Sequence, residues 1–119
     1  MHTVLETWEY LRRAKECGVT EDERADIIVF IATNPLAGDE MPGTGGARKV
    51  RFARQGQGKR GGYRVITFYT GVDVPVFLLA IFAKNDVSDM TQAAKNDMKK
   101  GLKLLRTDYR RTPHGNKAH

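Results

Sequence analysis

The sequence predicts one α+β domain in which helices pack against an antiparallel sheet. At 119 residues, the chain has the length of a single domain. Segments in its middle have the alternating or continuous apolar pattern of strands, and segments near its ends have helical patterns. The glycine-rich connections between the strands are too short for helical crossovers, which favours antiparallel neighbours. The predicted helices are residues 7–17, 20–33 and 91–105, and the predicted strands are residues 47–54, 63–69 and 76–83.

Apolar residues at helical spacing predict the first helix, and a capping box marks the start of the second. Trp8, Leu11 and Ala14 recur every three residues and would form the apolar face of the first helix. Thr20 and Glu23 have the spacing of a capping box, in which each side chain accepts a hydrogen bond from the other residue's backbone N–H. The buried stripe of the second helix would then consist of Ile27, Ile28 and Ile31.

The strand predicted at residues 47–54 separates two kinds of side chain. Because successive side chains of a strand project to opposite faces, Val50 and Phe52 would point one way and Lys49 and Arg51 the other. The helices must then cover the apolar side, so we expect all of them on one face of the sheet.

The remaining segments complete the predicted layout. Residues 76–83 are almost continuously apolar, which predicts a central strand covered on both faces. Residues 3–5 could add a short strand, and residues 36–46 are rich in glycine and proline and predict a loop. The domain is expected to span residues 1–105, with residues 106–119 as a basic, flexible tail.

Charge divides sharply along the chain. Residues 1–41 hold four basic and nine acidic residues, whereas residues 42–119 hold sixteen basic and five acidic ones. Balances of −5 and +11 give the formal net charge of +6. Uncompensated positive charge on a strand indicates a nucleic-acid partner, with an anionic membrane as the weaker alternative because no basic amphipathic helix carries it. The densest segment, residues 48–64, has no acid and contains Arg48, Lys49, Arg51, Arg54, Lys59, Arg60 and Arg64.

Several function classes are disfavoured. The single cysteine, Cys17, permits no internal disulfide, and there is no Cys/His cluster for a structural metal. The absence of a signal-peptide pattern or a long apolar run predicts a cytoplasmic protein. Residues 56–61 match the dinucleotide pattern G-x-G-x-x-G, but a predicted strand follows where that site needs a helix. All three histidines lie near the termini, and the basic half has few acids for a two-metal nuclease, so we expect no cofactor and no metal.

Four segments together resemble the RelE/ParE superfamily of bacterial toxin–antitoxin toxins, and within it the HigB-like branch most closely. They are N-P-L-A-G-D at residues 34–39, G-T-G-G-A-R-K-V-R-F at 43–52, G-K-R-G-G-Y-R-V-I at 58–66 and L-L-A-I-F-A-K-N at 78–85. The resemblance implies a RelE-like microbial RNase fold: two N-terminal helices on a twisted antiparallel sheet, with a C-terminal helix. It also implies a partner antitoxin, often a helix-turn-helix protein.

RelE and HigB toxins cut messenger RNA in the ribosomal A site, so the resemblance implies a ribosome-dependent endoribonuclease. It places the catalytic positions at Lys49, Arg51, Arg64 and Lys84. Asn85 stands where RelE enzymes carry an arginine, and Met90 or Thr91 where they carry a tyrosine. That leaves the general acid and base open, with Lys49 or Lys84 as the candidate base. Aromatic residues in strands pack in the core more often than they stack on bases, so a core position is the favoured interpretation of Tyr63. With Tyr63 included, the candidate RNA-binding residues are Arg48, Arg54, Lys59, Arg60, Tyr63 and Asn85.

The expected chemistry needs preorganised cations. In metal-free RNA cleavage the 2′-hydroxyl attacks phosphorus, and negative charge gathers on the non-bridging oxygens, where one cationic donor is worth about 3 kcal/mol. Lys49 and Arg51 would lie about 6.6 Å apart on one strand face. Arg64 on the next strand would add a planar fork for two oxygens. The competing interpretation is a solvated face on which these residues pair with acids of the N-terminal half.

Two other functions remain open at this point. A ParE-like inhibitor of DNA gyrase would share the fold and block replication. A non-catalytic RNA-binding module would bind without cutting.

Overall fold

The structure, a computed structural model, describes residues 2–53, 62–71, 73–83 and 91–111, without the side chains of 108–111. It confirms the α+β class. In chain order the elements are β1 (Val4–Glu6), α1 (Trp8–Glu16), α2 (Glu21–Thr33), β2 (Asp39–Glu40), β3 (Arg48–Phe52), β4 (Tyr63–Phe68), β5 (Val76–Ala83) and α3 (Gln92–Arg111).

The five strands form one sheet in the order β1-β5-β4-β3-β2. The strands β2 to β5 are antiparallel neighbours, as the short connections predict, and β5 is an interior strand. However, β1 pairs with β5 in parallel, so the sheet is mixed and the expectation of a wholly antiparallel sheet is wrong. No hairpin joins β1 to β5, because both N-terminal helices and three strands lie between them, and its direction is therefore not set by a turn.

Helices cover both faces of the sheet, which corrects the expectation that all lie on one. One core cluster joins α1 and α2 to the sheet through Tyr10, Ile27 and Val50. A second cluster, on the opposite face, joins Leu102 of α3 to Phe77. The reason is that β4 and β5 are apolar on both sides, so each side requires a helix.

Three local expectations are also corrected. The C-terminal helix continues to Arg111 instead of ending at 105, and Arg106 donates a hydrogen bond to the carbonyl oxygen of Gly45 (3.2 Å). The predicted loop at 36–46 contains the short strand β2, which pairs with β3. Trp8 is 88% exposed, and Tyr10 takes the buried position on α1.

The capping box at the start of α2 is confirmed. The hydroxyl of Thr20 accepts from the Glu23 N–H, and the Glu23 carboxylate accepts from the Thr20 N–H. Gly18, at φ 74°, ends the turn after α1. No helix within the described ranges has the length and apolarity needed to cross a bilayer.

Candidate functional site

Three cationic side chains meet on the face of the sheet that α3 covers only in part. Val50 and Phe52 of β3 pack with the core under α1 and α2, so the alternating Lys49 and Arg51 project to the other face. Arg64 of β4 is the Cα partner of Arg51 and projects to the same side. The sequence prediction that Lys49, Arg51 and Arg64 lie together is thus supported by the strand register. We call these three residues the cationic trio.

Among the described elements, α3 is the one that covers this face, and it packs at the end away from Arg51 and Arg64. Its buried Leu102 packs with Met41, Ala47 and Phe77, at the end of the sheet where β2 turns into β3. Arg51 is exposed, and Lys49 and Arg64 are partly so. A ligand can therefore approach the cationic trio from solvent.

The register makes two arginines direct neighbours. Cross-strand partners have Cα atoms about 4.5–5.5 Å apart, and like charges placed there destabilise a sheet by about 0.2–1 kcal/mol. Arg51 and Arg64 occupy such a pair. A bound anion would remove the repulsion, because each planar guanidinium can donate two hydrogen bonds to one phosphate.

Two acids of the N-terminal half, Glu6 and Glu9, are paired with arginines elsewhere. Glu9 accepts from Arg12 (2.8 Å) and Arg13 (2.6 Å), and these hydrogen bonds hold the pKa of the Glu9 carboxyl below its usual value. Glu6 forms a two-pronged pair with Arg24. Among the described residues, no carboxylate forms a salt bridge with any member of the cationic trio. The interpretation as a solvated face that pairs with N-terminal acids is therefore disfavoured.

A bulge in β5 places an aromatic ring beside the trio. Thr67 pairs with Leu78 but Ile66 pairs with Ala80, so β5 holds one extra residue there. After the extra residue, the side chains of β5 point to the opposite faces from those that simple alternation would give. Phe82 is therefore the cross-strand partner of Arg64 on the open face. The guanidinium carbon of Arg13 lies 4.4 Å from the Phe82 ring centroid. Sequence alternation alone does not reveal this, because a bulge shifts the two-residue period.

Arg48 lies on the other side of β3 from the trio. Its Nη1 donates to the carbonyl oxygens of Leu36 (3.2 Å) and Gly38 (3.1 Å). These bonds hold the segment before β2 against β3. The structure thus gives Arg48 a structural contact, and its proposed RNA contact stays a prediction.

Tyr63 is not available to stack on RNA, which corrects its inclusion among the RNA-binding candidates. Its side chain is 1% exposed and packs in the core under α1 and α2. Its hydroxyl donates to Glu23 (3.2 Å), which is itself buried. The alternation of β4 explains the difference, since Tyr63 and Val65 face the helices while Arg64 faces the open side.

The other predicted site residues lie outside the described residues. They are Arg54, Lys59, Arg60, Lys84 and Asn85. The first three belong to the β3–β4 connection in the sequence, and the last two come directly after β5.

The strand register also brings in a residue from the loop that the sequence predicts at 36–46. Asp39 on β2 is the Cα partner of Lys49. In the sequence, Asp39 lies shortly before a predicted turn and strand, and this position alone does not determine which residue it pairs with.

The arrangement is suited to bind a phosphodiester. The trio presents one ammonium and two guanidinium groups on adjacent strands about 4.8 Å apart. Cations carried on adjacent strands can stabilise the additional charge of a pentacoordinate phosphorus.

Similarity to known proteins identifies the family of this chain. A family model described as the RelE toxin of the RelE/RelB toxin–antitoxin system matches residues 3–110. Among solved structures, the chain is similar to a mutant of the E. coli toxin RelE in the free state, in which two arginines are replaced by alanine, with 16% sequence identity and a TM-score of 0.49. That alignment covers 74% of this chain and 87% of the E. coli chain. Because the family model spans nearly the whole chain, this protein belongs to the RelE family of toxin–antitoxin toxins.

Proposed function

We propose that this toxin is an endoribonuclease that cuts messenger RNA on the ribosome, using the cationic trio as its phosphate site. One observation carries the proposal: Lys49, Arg51 and Arg64 share a solvent-accessible face, and no described carboxylate forms a salt bridge with any of them. The resemblance to RelE and HigB toxins implies the ribosomal A site as the place of action. It also supports a cytoplasmic location and an antitoxin of the helix-turn-helix type as the partner.

In the proposed reaction the 2′-hydroxyl oxygen attacks the adjacent phosphorus while the P–O5′ bond breaks. The products are a 2′,3′-cyclic phosphate and a 5′-hydroxyl. Arg51 and Arg64 hold the non-bridging oxygens, and Lys49, about 6.6 Å along β3 from Arg51, contacts the same or the neighbouring phosphate. Lys84, which comes after β5 in sequence, is proposed as a fourth cation of this site.

The remaining basic candidates would contribute affinity instead of chemistry. Arg54, Lys59, Arg60 and Asn85 are proposed to contact ribosomal RNA. Loss of such contacts weakens binding and reduces its dependence on salt, because fewer counterions are released on association.

The test is expression of the protein in bacteria with separate labelling of protein, RNA and DNA synthesis. The proposal predicts that protein synthesis stops first and that messages are cut. Lys49→Ala and Arg51→Ala should each relieve growth arrest while circular dichroism shows an unchanged fold. Arrest of DNA synthesis first would favour a gyrase inhibitor. Ribosome binding without cleavage would favour an RNA-binding module.

A further inference from the structure

The short strand β2 brings one carboxylate to the face of the cationic trio. Directly opposed residues of antiparallel strands project to the same side, with Cβ atoms about 4.5–5.5 Å apart. Asp39 therefore lies beside Lys49 on the open face. Glu40, the next residue, opposes Arg48 and projects to the other side. Two adjacent acids are thus separated by the pleat, and only Asp39 belongs to the site.

The backbone of Asp39 is held in place from both sides. Gly38 has φ +89°, and a Cβ there would collide with the Lys49 carbonyl oxygen and lie 2.8 Å from Cγ2 of Val50. Only glycine permits this close approach. Arg48 donates to the Gly38 carbonyl oxygen and anchors it from the other side. Asp39 therefore has a fixed place relative to Lys49, although β2 is only two residues long.

The carboxylate of Asp39 is also available. Its residue is exposed, and within the described part of the chain it forms no salt bridge, with Lys49 or with any other cation. Of the three acidic residues in the described strands, Glu6 is bonded to Arg24 and Glu40 faces away. Asp39 is the acid that the described sheet offers to a ligand on the trio.

We infer that Asp39 is the general base of the cleavage reaction, an inference that rests on the proposed ribonuclease function. Its carboxylate takes the proton of the 2′-hydroxyl as the O2′–P bond forms. The P–O5′ bond breaks, its electron pair leaves with O5′, and O5′ takes a proton from water. Asp39 then returns its proton to solvent. Lys49, beside it, acts as a cation on the phosphate instead of accepting the proton.

The experiment measures single-turnover cleavage of a messenger RNA on programmed ribosomes by the full-length protein. Asp39→Asn keeps the shape and removes the basic oxygen, and a positioned base typically contributes 10²–10⁴-fold. We expect the rate to fall by about 100-fold or more. Glu40→Gln is the matched control, because it removes the same charge from the next residue on the opposite face, and its rate should stay within about twofold of the parent's.

Ribosome binding, measured separately, distinguishes a base from a binding residue. Removing an anion beside the trio should leave the affinity for the RNA unchanged or increase it. The cleavage rate of Asp39→Asn should therefore fall while its affinity for the ribosome does not. An Asp39→Asn variant that cleaves within threefold of the parent overturns the inference, as does one whose loss is entirely in binding. A parent protein that cleaves nothing on ribosomes overturns the proposed function, and the role of Asp39 with it.

Discussion

The Arg51–Arg64 pair should contribute to function while destabilising the fold. These residues are cross-strand partners of like charge, and such pairs destabilise a sheet by about 0.2–1 kcal/mol. Arg64→Gln should therefore raise the free energy of unfolding by about 0.5 kcal/mol at low ionic strength. Because the screening length falls from about 30 Å at 0.01 M salt to about 3 Å at 1 M, the gain should vanish at high salt.

The same substitution should remove most of the cleavage activity. Loss of one fixed donor to the transition state raises the barrier by about 3 kcal/mol, which corresponds to roughly 100-fold in rate. The assays are urea denaturation at 0.01 M and 1 M salt and single-turnover cleavage on ribosomes.

Arg12→Gln on α1 is a control of opposite sign. Arg12 is paired with Glu9 and Glu16, so its removal should lower stability at low salt and leave cleavage unchanged. The reasoning about the trio is refuted if Arg64→Gln destabilises the protein at low salt, or if it leaves the cleavage rate as it was.

Three further predictions, made with four substitutions, test the structure outside the cationic trio. Gly38→Ala should destabilise the protein by about 2 kcal/mol or more, because it combines left-handed backbone strain with the collision at the Lys49 carbonyl oxygen. Gly101 lies in open space on α3, so Gly101→Ala should stabilise the protein by up to about 1 kcal/mol. Tyr10→Phe should stabilise it by about 1 kcal/mol, since the buried hydroxyl has no hydrogen-bond partner among the described residues. Burial also raises the pKa of Tyr10, so just above pH 10 this tyrosine ionises only in the unfolded chain. The free energy of unfolding of the parent should therefore fall as the pH rises above 10, and it should fall less in Tyr10→Phe. Arg48→Met should cost about 1 kcal/mol through its bonds to the segment before β2.

Thermal or urea unfolding checks these three predictions in one series. Equal effects of the two glycine substitutions would contradict the close approach at β2. A Tyr10→Phe protein less stable than the parent at neutral pH would show that the hydroxyl has a stabilising partner. An Arg48→Met protein as stable as the parent, but with weaker RNA binding, would favour an RNA contact for that residue.

Local rules predicted the features that depend on neighbouring residues. The capping box at Thr20 and the opposite facing of Lys49 and Val50 follow from spacing alone, and both are found. The features that failed depend on distant parts of the chain. The periodicity of α1 favoured Trp8 as a core residue, but the position of α1 against β5 buries Tyr10 instead.

The site shows the same division. The alternation within β3 predicted which side chains share a face, but not which strand lies beside it. The sequence predicted Arg64 on the strand beside Arg51 but not the register that makes them direct partners. The pairing of Lys49 with Asp39 needs a strand inside a predicted loop. The β5 bulge that turns Phe82 toward Arg64 leaves no mark in the apolar pattern, because every residue from 76 to 83 is apolar.

The most direct test of the central claim is to map the ends of a message cut by the purified toxin on ribosomes, with ribose or 2′-deoxyribose at the scissile nucleotide. Attack by the 2′-hydroxyl under the cationic trio predicts a 2′,3′-cyclic phosphate and a 5′-hydroxyl from the ribose substrate, and no cut in the deoxy substrate although the toxin still binds. Efficient cleavage of the deoxy substrate, or 5′-phosphate ends, would contradict it.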